Sequence, residues 1–203
     1  MFLAATAGQI VFGLAAHNEE RAKDGLDTLG LAAYLMSGHF LEALFENWES
    51  EFLQMGVFVL LAVKLRQKGS TESRPLDEPI ESDEDPRLHA GDPKAPWPVR
   101  RGGLVLVLYE NSLAIVFFAF FAASLALHAV GGFFKTNAEN MARGWPRETF
   151  LEYWTSSQFW FESFQNWQSE FLAVLALVVF TIFLRQRGSP QSKPVAAPHD
   201  ETG

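Results

Sequence analysis

The sequence predicts an all-α integral membrane protein with four transmembrane helices. They form two parallel two-helix repeats, with long amphipathic, interfacial extensions on the second and fourth helices. Three observations carry this. Residues 113–134 run 22 positions, and residues 171–184 run 14, without a charged side chain, and about 20 apolar residues cross a bilayer. The chain also matches itself without gaps at an offset of 119, pairing residues 9–75 with 128–194 at 23 identical positions of 67. Chance pairing at ordinary composition gives roughly 4. Finally, the stretch 69–103 holds six of the ten prolines and eight acidic residues. It therefore reads as a linker between the two copies.

In order along the chain, the first membrane repeat is 1–68, with apolar segments at 1–16 and 37–68. Met1 pairs with Phe120 through the offset, so the first helix lacks the counterparts of residues 113–119 and is expected to be truncated, with an in-frame start further upstream. A signal peptide is the competing reading. It is disfavoured because no basic residue precedes the segment and its counterpart lies mid-chain. Residues 69–103 are expected to be a disordered, acidic, Pro-rich cytoplasmic linker, and Asp83–Asp85 within it a solvated cluster. The second repeat is 104–187, with helices at 113–134 and 156–187, and 188–203 is a disordered tail.

Two crossings per copy return the chain to its starting side, which makes the repeats parallel. Of the 16 Lys and Arg, 11 lie on the side holding the linker and both termini. The positive-inside rule makes that side cytoplasmic.

Composition narrows the chemistry. With no cysteine, disulfides, thiol nucleophiles and thiolate metal sites are excluded. A net charge of −8 from 16 basic and 24 acidic residues argues against a nucleic-acid partner, which needs clustered cations. No phosphate loop, zincin pair, serine elbow or dinucleotide fingerprint occurs. An enzyme therefore has little support, and no cofactor is expected.

Identity between the copies is densest where Asn47-Trp48-Glu49-Ser50-Glu51-Phe52 meets Asn166-Trp167-Gln168-Ser169-Glu170-Phe171. Asn47, Ser50 and Glu51 share one helix face, as do Asn166, Ser169 and Glu170. These six residues are the candidate polar membrane site, since an acidic group in the bilayer requires compensation. If the two faces meet, Glu51 and Glu170 share a proton. The interfacial alternative is preferred on the sequence. Phe40, Leu41, Leu44, Phe45, Trp48 and Phe52 form an apolar stripe opposite His39, Glu42, Glu46 and Glu49. Trp48 and Trp167 would then be interface anchors, and Glu49, whose counterpart is Gln168, would be dispensable.

His39, Glu42 and Glu46 have ligand spacing, but their counterparts are Gln158, Phe161 and Gln165, so no metal site is expected. His128, whose counterpart is Gln9, suggests a polar contact between helices. Asn18, Glu20 and Gly25 recur as Asn137, Glu139 and Gly144, which suggests a shared turn.

At the doubled Asn-Trp-x-Ser-Glu-Phe motif, each copy followed by Arg-Gln-Lys/Arg-Gly-Ser, the chain resembles a bacterial family of multi-pass membrane proteins classed as a domain of unknown function. The resemblance implies an inner-membrane location and members that start further upstream. It brings no catalytic residues. The function expected is that of a structural or interaction protein of the lipid bilayer, as a homo-oligomer or with a membrane-protein partner. The alternative is a proton- or cation-linked transporter or channel using the two Asn-x-x-Ser-Glu faces.

Overall fold

The computed structural model describes residues 1–64 and 84–198, and among them there is no β-strand. The helices are α1 (Phe2–Lys23), α2 (Leu31–Leu35), α3 (Gly38–Lys64), α4 (Trp97–Arg101), α5 (Gly103–Glu110), α6 (Ser112–Ala142), α7 (Phe150–Trp154) and α8 (Ser157–Phe183). The protein is thus all-helical. Two helices, α6 and α8, are long and apolar enough to cross a membrane. In α3 the acidic residues Glu42, Glu46, Glu49 and Glu51 interrupt the apolar pattern. In α1 the polar run His17–Lys23 takes the last two turns.

Part of the predicted linker is described. Pro86–His89 form a 3₁₀ turn, with Asp85 accepting from the Arg87 backbone N–H at 3.0 Å, and α4 and α5 follow. Residues 65–83 and 199–203, with Leu65-Arg66-Gln67 and Asp83 of the acidic cluster, lie outside the described residues.

The chain divides into two compact units, Met1–Glu51 with Phe120–Trp167 and Phe52–Ala119 with Gln168–Gly203. The first unit contains α1, α2, α7 and parts of α3, α6 and α8. Positions 119 apart repeat the same local chemistry there. Asn18 donates through Nδ2 to Leu29 O and accepts from Leu29 N–H, at 2.9 and 2.7 Å. Asn137 does the same with Glu148, at 3.2 and 2.9 Å. Both α1 and α6 end on a glycine with positive φ, Gly25 at 71° and Gly144 at 72°. The next residue donates back five positions, Leu26 to Arg21 and Trp145 to Asn140. This satisfies the last carbonyls of each helix in a left-handed cap that a side chain would strain.

Tyr34 and Tyr153 are both buried, and each hydroxyl abuts a glycine, Gly13 and Gly132, where any Cβ would collide with it. Ser37 and Ser156 accept from Phe40 and Phe159 N–H, both at 3.2 Å, at the starts of α3 and α8. One close approach has no counterpart. A Cβ at Gly38 would meet the Gly131 carbonyl at 2.5 Å, and one at Gly131 would strike the Glu42 backbone. Two glycines therefore let the backbones of α3 and α6 touch.

Candidate functional site

That touching point sets the polar site. It brings the Glu42–Glu49 face of α3 against α6, so the stripe predicted to be solvated is in contact with protein. Glu42 and Glu49 are buried.

His128 is the centre. It lies within the charge-free run of α6 and is 0% exposed, while its neighbour Leu127 is 40% exposed. Nδ1 of His128 lies 3.0 Å from Glu49 Oε2, and the indole of Trp167 donates to Glu49 Oε1 at 3.2 Å. With Glu49 accepting through both carboxylate oxygens, the network assigns an imidazole proton to Nδ1. Nε2 is then the open nitrogen, 3.9 Å from Glu162 Oε2. That distance exceeds a hydrogen bond, and both atoms are buried without a hydrogen-bond partner.

A second pair lies on the same helices. Lys135 Nζ contacts Glu42 Oε2 at 2.6 Å. Asn166 donates to Glu46 Oε1. Tyr153 presents its hydroxyl beside Glu42 Oε1 over Gly132. Burial, with Glu42 and Glu162 close by, pushes that phenol well above its ordinary range. It therefore stays protonated, and it too lacks a hydrogen-bond partner, as does the buried Ser163 hydroxyl. A cavity of about 340 Å³ is lined by Glu42, Lys135, Glu139, Tyr153, Gln158 and Glu162, among others. Buried polar atoms are ordinarily paired, so the unpaired atoms of His128, Glu162 and Tyr153 make this a polar locality of the first unit that has hydrogen-bonding capacity left over.

The six residues singled out in the sequence are distributed differently. Asn47 is exposed and its amide donates to the Ala43 carbonyl at 2.8 Å. Ser50 is buried with its hydroxyl on the Asn47 carbonyl. Glu51 is exposed. Asn166 reaches Glu46, as above. Ser169 and Glu170 belong to the second unit, where the Glu170 carbonyl accepts from Gln54 at 2.8 Å. Trp48 packs edge-on against Phe45, with centroids 5.4 Å apart. Trp167 serves Glu49.

Glu49, which the comparison of copies set aside, is therefore central. The missed signal is paired divergence. Glu49 and His128 face each other while their counterparts are Gln168 and Gln9; Glu42 and Lys135 pair while theirs are Phe161 and Ala16. Each member of these facing pairs is replaced by an uncharged residue at the position 119 away.

Residues 1–203 match the model of a family described as Domain of unknown function (DUF6766), and the chain belongs to that family. No curated protein and no solved structure matches it.

Proposed function

We propose that this member of the DUF6766 family is a multi-pass inner-membrane protein in which Glu49, His128 and Glu162 pass a proton, coupled to movement of a cation or small solute. The observation that carries the reading is His128 itself: a fully buried imidazole within the charge-free run of a membrane-length helix, between two carboxylates. An ionisable group in such a helix is expensive unless it is used. An imidazole can both take up and give up a proton, one at each ring nitrogen. Uptake at Nε2 gives an imidazolium held by Glu49 on one side and drawn to Glu162 on the other. Closing the 3.9 Å gap by roughly 1 Å, or bridging it with water, completes the transfer.

The same reading includes four crossings, α1 and α3 joining α6 and α8, as two parallel copies from a tandem duplication. The termini and the central linker then lie in the cytoplasm. Supporting it are the self-match at offset 119 and the Lys/Arg asymmetry. A scaffold is the second reading, favoured by the way both Glu49 oxygens tie α3 to α6 and α8. In that case the bilayer, a second copy or a membrane partner is what the protein engages.

Reconstitution in phosphatidylcholine vesicles with a trapped pH dye separates the two. The transport reading expects proton flux above that of protein-free vesicles, falling to background in His128→Gln and Glu162→Gln. Wild-type flux at background across sodium, potassium and pH gradients would overturn it in favour of the scaffold.

A further inference from the structure

Apart from the His128 line, the end of α1 and the start of α3 bring two imidazoles together. His17 and His39 stack with centroids 4.3 Å apart and planes 30° apart. The Nδ1 atom of each is buried and has no hydrogen-bond partner. Glu20, three residues from His17 and so on the same face of α1, adds a carboxylate. Two ring nitrogens and one Glu20 oxygen lie within 4.8 Å of one another, in a cavity of about 130 Å³.

We propose that His17, Glu20 and His39 bind a divalent transition-metal ion of the zinc type, with water completing its coordination. Two imidazoles and one carboxylate are a zinc donor set, and metal–ligand bonds of about 2.0–2.2 Å need donors roughly 3.4 Å apart. Side-chain rotation at Glu20, which is exposed, and at the half-buried His17 and His39 supplies that contraction. The two imidazoles cannot satisfy each other as they stand, because stacked rings point their nitrogens outward rather than at one another, and a cation at their shared edge uses both.

The basic side chains beside the cluster are engaged elsewhere. Arg21 donates to the Asp27 carbonyl at 2.7 Å, Lys135 holds Glu42 and Arg143 pairs with Glu139 at 3.7 Å, so none of the three is committed to Glu20. Positions 119 further on hold Thr136, Glu139 and Gln158. The carboxylate is present in both copies and the imidazoles in one. The ligand set thus combines residues from two helices of the first copy. It was hidden in the sequence because His17 and His39 are 22 positions apart, across a turn. The site does not depend on proton transfer at His128.

The test uses the full-length chain in detergent, stripped with a chelator and titrated with Co²⁺ as a spectroscopic stand-in. About one Co²⁺ per chain is expected, with visible ligand-field bands of a four- or five-coordinate ion, displaced by Zn²⁺. His17→Thr and His39→Gln introduce residues the other copy already carries. Each should weaken binding by about tenfold or more, since even the partners of metal ligands cost that much. Glu20→Gln, at an exposed position, should do the same with an unchanged far-UV spectrum, and His89→Gln, in the central segment, should bind as the unaltered chain does. Equal Co²⁺ binding by the unaltered chain and by Glu20→Gln, or no binding by the unaltered chain, would overturn the assignment.

Discussion

Residues 2–64 and 121–183 use the same residues for geometry and different ones for charge. The shared positions are the Asn clamps at Asn18 and Asn137, the glycine caps at Gly25 and Gly144, the tyrosines on Gly13 and Gly132, and the serines that open α3 and α8. Each fixes where the chain turns or how closely it packs. The differing positions are Glu42, Glu49, Lys135, His128 and Glu162, whose counterparts are Phe161, Gln168, Ala16, Gln9 and Ala43. Buried charge costs too much to arise on one side alone, which is why the differences come in facing pairs. Positions that match across the offset of 119 describe the scaffold; on the proposed function, those that differ together locate the chemistry.

The largest effect should come from breaking one of those pairs. Glu49→Ala leaves His128 and the Trp167 indole without their acceptor, and a loss of about 3–5 kcal/mol is expected for a fully buried partner. Thermal unfolding in detergent measures it. The double change Glu49→Gln with His128→Gln should recover most of that loss, because it restores neutral residues on both sides. Non-recovery would mean that the two differences are unrelated.

The shared positions make the opposite expectation, equal effects in both halves. Asn18→Ala and Asn137→Ala each remove a two-bond clamp and should each cost about 1–3 kcal/mol. A large inequality between them would break the comparison. Gly25→Ala and Gly144→Ala, both at φ near +70° with nothing within 4 Å of an added Cβ, should each cost about 1–2 kcal/mol from backbone strain alone.

The smallest effect sharpens a difference in capping. α7 starts on Thr149, whose hydroxyl accepts from Glu152 N–H while the Glu152 carboxylate accepts from Thr149 N–H at 2.6 Å. α2 starts on Gly30 with no side-chain cap. The Thr149 N–H holds the Glu152 carboxyl below its ordinary value. A depressed carboxyl stabilises the fold above the unfolded-state value, and that stability is lost as pH falls through the folded-state one. Carbon-13 titration should find Glu152 below the ordinary glutamate value, and acidification should fray α7 while leaving the start of α2 unaffected.

Much of the scaffold was legible in the sequence. The charge-free run 113–134 lies within α6, and the segment 156–187 contains α8. The long helix at 37–68 contains α3, which is described as far as Lys64. The five-residue helices α2 and α7 were not foreseen, because single turns held by Ser37, Ser156 and Thr149 carry no periodicity. The buried acidic face of α3 was not foreseen. Glu42, Glu46 and Glu49 look like the wet side of an amphipathic helix when α3 is considered alone. Only the Gly38–Gly131 approach, which depends on two single glycines 93 positions apart, turns that face toward α6. Treating retained residues as the informative ones then pointed to Glu51 and away from Glu49.

The most direct measurement is proton flux through vesicles carrying a symmetrised chain: Glu42→Phe, Glu49→Gln, His128→Gln and Lys135→Ala together, each residue being the one at the corresponding position 119 away. Helix content should match that of the unaltered chain, since every geometric position is kept, and flux should drop to that of protein-free vesicles. A symmetrised chain that folds and still moves protons at the original rate would contradict the claim that the unshared charges carry the function.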